Sequence, residues 1–184
     1  MPVPPAAWLP HATRSAIIVP VPDAEQTVAW HRRGLAPPGV PLVPAHVTVL
    51  YPFVHPQRID ADTITGIETA LSGVEAFDCV FSQVKWFGEE VLWLEPKPDQ
   101  HFRSLTHAVC KRFPALLPYD GEHPDTVPHL TVADSRTGNA ESKRRVATDI
   151  TAALPIHARI DTVRLVAGYD EHGPWHPIAE FSLG

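Results

Sequence analysis

The sequence predicts an α+β fold: two βαβαβ-like lobes with mainly antiparallel sheets, facing each other across a central cleft. Three observations carry this. A short strand with the pattern His-apolar-Thr-apolar occurs twice, as "HVTV" from position 46 and "HLTV" from position 129. The elements around the two copies follow in the same order. The long strand closing each half slips phase after its third apolar position.

In the first half, "RSAIIVPV" (14–21) reads as a strand rich in β-branched residues. "DAEQTVAWHRRG" (23–34) reads as a helix, with Asp23 as N-cap, Gln26 three residues later and Gly34 just past the end. The first motif strand follows. "DADTITGIETALSG" (60–73) is a helix ended by Gly73, and "FDCVFSQVKWF" (77–87) a strand. The second half repeats this order. "VLWLEP" (91–96) is a strand, and "DQHFRSLTHAVCKRF" (99–113) a helix capped by Asp99, with Phe102, Leu105, Val109 and Phe113 at helical spacing. The second motif strand "PHLTVAD" (128–134), a helix over 140–154 and a long strand over 156–169 come next, and 175–183 returns antiparallel to that strand. In the two long strands the apolar positions run 77, 79, 81, then 84 and 86, and 156, 158, 160, then 163 and 165; a bulge or sharp twist accounts for each slip. The repeats span about 14–87 and 91–183, so residues 1–184 are expected to form a single domain of two interleaved lobes related by a pseudo-twofold axis.

Such an axis explains a polar face on each motif strand. Side chains alternate with a period of two, so His46 and Thr48 point one way and Val47 and Val49 the other; His129 and Thr131 likewise oppose Leu130 and Val132. The axis turns both polar faces toward one cleft. Proline-rich loops, 34–45 and 114–128, lead into the two strands. Pro128 directly precedes the second histidine whereas Ala45 precedes the first, and only a small change in strand entry is expected from this. Two facing imidazoles suit general acid–base catalysis, one neutral and one protonated, with ring nitrogens about 5–8 Å apart around one phosphate. Threonine hydroxyls donate hydrogen bonds to oxygens that gain charge.

Bulk properties narrow the partners. The net charge of −6 argues against wrapping duplex nucleic acid, and Asp120, Glu122 and Asp125 before the second motif favour a small or terminal substrate. The basic run "KRR" (143–145) is expected on a solvated helix face. No apolar run reaches the roughly 20 residues of a membrane span, and the N-terminus lacks the pattern of a secretory signal. Two isolated cysteines, Cys79 and Cys110, make neither a disulfide framework nor a zinc site and suit a reducing cytoplasm; Cys79 is expected in the core. A cytoplasmic monomer without cofactor is expected. Arg14 and Arg103 are candidate phosphate contacts against a default of surface roles, and Tyr51 and Phe53 are candidates for base stacking or, more in keeping with their type, packing.

The paired His-x-Thr-x tetrapeptides, their separation and the duplicated order resemble the two-histidine phosphoesterase superfamily, in its branch of 2′-5′ RNA ligase-like proteins and RNA 2′,3′-cyclic phosphodiesterases. "HVTVLYPF" and "PHLTVA" carry the local likeness, which extends over about 14–183. The resemblance implies a bilobal fold, metal-independent hydrolysis of a 2′,3′-cyclic phosphate on an RNA 3′ end or small nucleotide, His46 as acid, His129 as base, Thr48 and Thr131 on the phosphate, and ligation as the reverse reaction. Two other readings stay open from the residues themselves. One is a module that binds a phosphorylated nucleotide or RNA end without turnover. The other is a metal hydrolase using His46 and His129, for which Asp134 is the nearest further ligand, on the opposite strand face from His129.

Overall fold

Among the described residues eight strands in the order β6-β3-β4-β5-β2-β1-β7-β8 form one sheet, antiparallel at every junction. The strands are β1 (Arg14–Pro20), β2 (His46–Leu50), β3 (Phe77–Phe87), β4 (Val91–Lys97), β5 (Leu130–Ala133), β6 (Ile156–Ile160), β7 (Thr162–Gly168) and β8 (His176–Ser182). Among the described residues four α-helices accompany them: α1 (Pro22–Leu35), α2 (Ala61–Leu71), α3 (Gln100–Arg112) and α4 (Ala140–Ala153). The computed structural model describes residues 11–39, 41–122, 126–169 and 174–184. Where two sheets were expected there is one, because the motif strands β2 and β5 pair directly and join the halves. From that seam outward the order matches on both sides: β2, β1, β7, β8 against β5, β4, β3, β6. The first half therefore lends β3 to the β5 side, and the second half lends β7 and β8 to the β2 side.

The phase slips have two different outcomes. In β3 the register shifts between Phe81 and Gln83, the bulge expected there. The predicted strand 156–169 is instead two strands broken at Asp161. Its first part pairs with β3 and its second with β1, so one chain segment serves opposite ends of the sheet and has to break between them.

The helix limits are set locally. α2 begins at Asp60, whose carboxylate accepts the Thr63 N–H at 2.8 Å. Asn139 and Ser142 form a reciprocal capping box on α4, both bonds 2.9 Å. Two expected caps are different. α1 starts at Pro22, which suits the first helical position because it has no N–H to satisfy; Asp23 lies inside the first turn, Gly34 lies inside the helix, and Val21 occupies the cap position. At α3 the Asp99 carboxylate makes no cap bond and takes the Arg103 Nε–H at 2.7 Å instead.

One sheet face and the helices enclose the main core, which includes Ile17, Val19, Val47, Val49, Leu92, Leu94, Leu130, Val132 and Leu165 together with Val28, Ile67, Phe102, Leu105 and Ile150. Each such large aliphatic side chain stabilises the fold by about 1.5–3 kcal/mol. Cys79 is buried here as expected. Alternation then forces the intervening residues to the other face. Ala16, Ile18 and Val166 make a smaller apolar cluster there with Val43, Tyr51 and Trp175. That second face carries the motif side chains. Among the described residues no helix is long and apolar enough to cross a membrane.

Candidate active site

The register between the motif strands arranges four side chains as a grid. Val47 pairs with Leu130, and both are fully buried in the core. Extending this antiparallel register by one residue each way sets Thr48 opposite His129 and His46 opposite Thr131, all four on the other face and half-buried. Opposite Cβ atoms in such a pair lie about 4.5–5.5 Å apart, and the two histidines occupy a diagonal of about 7–8 Å. His46, Thr48 and Thr131 line a cavity of about 380 Å³. His129 is not part of that lining. Its ring packs edge-on against Phe87 (centroids 5.0 Å) and lies 5.8 Å from Trp93.

Both imidazoles are held the same way. His46 Nδ1 lies 2.7 Å from the Pro44 carbonyl, and His129 Nδ1 lies 2.7 Å from the Val127 carbonyl. A carbonyl only accepts, so Nδ1 carries the proton and Nε2 is the reactive nitrogen in each ring. The acceptor is two residues upstream in both cases, so the difference between Ala45 and Pro128 changes little. Glu25 on α1 fixes the entry to β2 by accepting the Ala45 N–H at 2.5 Å. Lys143 does the equivalent beyond β5: its ammonium donates to the Glu90 and Asp134 carbonyls at 2.8 and 2.7 Å. Lys143 is thus buried, against the expectation of a solvated face, which holds for Arg144 and Arg145.

Burial is the main influence on both histidines. It pushes His46 down to about 4, opposed by the Pro44 carbonyl and reinforced by the Arg32 and His129 charges. It also holds His129 below the usual imidazole range, against the Val127 carbonyl. Both rings are therefore neutral at pH 7 in the free protein, which departs from the expected pair of one neutral and one charged. A histidine with a folded pKa below its unfolded value leaves stability intact above the unfolded pKa and removes it as pH falls through the folded one. For His46, going from about 6.5 to about 4, the loss is about 3 kcal/mol. The urea midpoint is expected to drop across that window in the wild type and much less in His46→Gln.

Several site residues escape a motif reading. Tyr119, in the loop before the second motif, is hydrogen-bonded through its hydroxyl to Thr48, and its burial keeps the phenol protonated. Its N–H donates to the Tyr51 carbonyl at 2.6 Å. Tyr119 and Asp120 both sit in the left-handed region, at φ 51° and 54°, a strained pairing for residues with side chains. The Tyr51 ring meets Tyr119 and Trp175 edge-on at 6.5 and 6.2 Å. Trp175 packs closely against Gly168, where an added Cβ would fall 2.6 Å from its Cγ. Tyr51 and Trp175 line the cavity, whereas Phe53 packs against Phe113 at 5.1 Å.

Arg32 and Arg136 also line the cavity; Arg14 and Arg103 do not. Arg103 ties down the loop before the second motif, its Nη1–H donating to the Thr126 carbonyl at 3.2 Å. Asp134 lines the cavity too, because β5 ends at Ala133 and the chain turns there; its carboxylate accepts from Arg136 Nη2 at 2.5 Å. Among the described residues no group of three or more His, Cys, Asp or Glu is placed to hold a metal ion. His123, Asp125 and His172 lie outside the described residues.

Residues 19–171 match the family model of the 2′-5′ RNA ligase superfamily. No curated protein matches the sequence at a significant level. The fold is similar to TT0787 of Thermus thermophilus, with a TM-score of 0.66 and 17% identity over 92% of this chain and 97% of that one. It is similar to E. coli LigT in apo form (TM-score 0.60, 16% identity, 94% and 98% of the two chains). E. coli LigT complexed with 3′-AMP gives 0.58 and 15% over 94% and 98%. At these identities the likeness is one of fold.

Proposed function

Because this chain belongs to the 2′-5′ RNA ligase superfamily and carries a diagonal pair of imidazoles on one sheet face, we propose that it hydrolyses a 2′,3′-cyclic phosphate on a small nucleotide or RNA 3′ end. The observation that carries this reading is the β2–β5 register, which gives each histidine a threonine directly across the seam. A phosphorus atom over such a grid has one imidazole on each side and hydroxyl donors between. In-line attack needs that arrangement, since the nucleophile and the leaving oxygen depart from opposite sides of phosphorus.

In the proposed step His129 Nε2 takes a proton from water as its oxygen bonds to phosphorus. The bond from phosphorus to the 3′ oxygen breaks, and His46 protonates that oxygen, leaving a 2′-phosphate. His46 is neutral in the free cleft, so the acid has to gain its proton when an anion binds; the negative phosphate supplies the field that raises its pKa. Thr48, held by Tyr119, and Thr131 donate to the phosphate oxygens. A 5′-hydroxyl attacking phosphorus in place of water, with the same bond to the 3′ oxygen breaking, gives ligation to a 2′-5′ linkage.

Small nucleotides as ligands are supported by the solved complexes of E. coli LigT with 3′-AMP, ATP and NADP+. A cavity of about 380 Å³ lies toward the small end of ligand pockets and suits one nucleotide rather than a long strand. The mirrored strand order about the seam supports a single domain built by internal duplication.

Proton transfer by imidazoles needs no metal. Hydrolysis of adenosine 2′,3′-cyclic phosphate is therefore expected to continue unchanged in excess EDTA, followed by chromatography of the products. Loss of activity in EDTA with recovery on adding zinc or manganese points to a metal hydrolase instead.

A further inference from the structure

The cavity has two unlike ends. Since β5 runs antiparallel to β2, the residues after β5 lie at the His46 end, whereas Tyr51 lies past Thr48 at the other. The Thr48 end is apolar and aromatic, with Ala16, Ile18, Val166, Tyr51 and Trp175. The charged groups of the lining, Arg32, Asp134 and Arg136, lie at the His46 end, together with the apolar Pro37, Pro41 and Leu42 from the loop before β2.

Arg32 stands out there. It is half-buried near the C-terminus of α1, and its charge reaches His46. Two carboxylates lie near enough to act on it electrostatically, Glu25 and Asp134. Both are engaged elsewhere: Glu25 with the Ala45 N–H, and Asp134 with the Arg136 side chain and N–H. Among the described residues the Arg32 guanidinium makes no hydrogen bond or ion pair. A guanidinium has five N–H donors in a fork that matches phosphate oxygens, and a partly desolvated one without a partner is unfavourable. Its natural complement is an anion in the cavity.

The shape of a nucleotide says which anion. In a nucleoside 2′,3′-cyclic phosphate the reacting edge of the ribose lies between C1′, which bears the base, and C4′, which bears the 5′ carbon. With that edge over the histidines and threonines and the base at the aromatic end, the 5′ oxygen points to the Arg32 end. On the reading of the site given above, we propose that Arg32 holds a phosphate on the substrate's 5′ oxygen. The preferred substrate is then a 5′-phosphorylated 2′,3′-cyclic nucleotide, a chemistry shared by the last residue of an RNA strand and by small nucleotides.

Binding tests this independently of turnover. Calorimetric titration with adenosine 2′-monophosphate and adenosine 2′,5′-bisphosphate is expected to show the bisphosphate bound about 10- to 100-fold tighter, as for one charge-assisted contact. Arg32→Gln removes that preference and leaves the monophosphate affinity within a few-fold; Arg32→Lys, which keeps the charge and loses the fork, retains part of it. The His46 titration followed by NMR moves to higher pH in Arg32→Gln and stays near the wild-type value in Arg32→Lys, which shows that the charge acts in a folded site. A dinucleotide ending in a 2′-phosphate distinguishes a strand end from a small bisphosphate by which binds tighter. Equal affinity of the wild type for the mono- and bisphosphate, or a preference that survives in Arg32→Gln, overturns the proposal. Failure to hydrolyse cyclic phosphates would overturn the proposed reaction and leave the binding of the 5′-phosphate by Arg32 standing.

Discussion

Replacing His46 or His129 by alanine is expected to lower turnover of a 2′,3′-cyclic nucleotide by about 10²–10⁴-fold, the usual contribution of a general acid or base. The effect should fall on kcat, because each imidazole acts in the transition state more than in binding. Neither ring belongs to the main core; each is half-buried on the second sheet face and anchored by one bond to a loop carbonyl. The variants should therefore stay folded, and a melting curve checks this beside the rate. The double variant should lose less than the product of the single losses, since the pair acts as a unit. Thr48→Ala and Thr131→Ala should lose less than either histidine variant, because one hydrogen bond goes and both proton transfers stay. Wild-type turnover in both single histidine variants removes the mechanism.

The second large effect is on pH dependence. Productive chemistry needs one neutral and one protonated imidazole. In the free protein the singly protonated pair, which includes the productive form with its proton on His46, is most populated between the two pKa values, one about 4 and the other below the usual imidazole range. The profile of kcat/KM, which reports the free protein, is thus expected to peak on the acidic side and to decline well before pH 8. The kcat profile reports the complex, where the phosphate charge raises both values, so its peak lies at higher pH. Binding a nucleotide at pH 7 should accordingly take up a proton, seen as a dependence of the calorimetric heat on the buffer's ionisation enthalpy. A kcat/KM profile with its maximum above pH 8, and no proton uptake, contradicts this picture.

What the sequence discloses is what depends on short-range periodicity. The period of two in "HVTV" and "HLTV" puts His46, Thr48, His129 and Thr131 off the core, as found, and the phase slip in 77–87 marks a true bulge. The same slip in 156–169 marks a break between two strands, because what decides it is which distant strand each part meets. Arg32 carries a signal that a motif reading passes over: it falls four residues after Val28 and eight after Ala24, on the buried stripe of α1. A cation on an apolar stripe asks for an anion. Tyr119 and Trp175 give no such sign. Their roles rest on two left-handed residues and on a glycine against an indole, both set by packing between remote segments. Lys143 reads as one of three surface cations until two carbonyls from other elements converge on it.

In the proposed reaction the two histidines serve opposite sides of one phosphorus atom. A phosphodiester with a nitrophenyl leaving group tests it most directly, because that group departs without protonation. Turnover of this substrate should return toward the wild-type rate in His46→Ala and stay low in His129→Ala. Rescue of His129→Ala alone would exchange the two roles. Equal rescue of both variants, or of neither, would contradict the opposite-side arrangement itself.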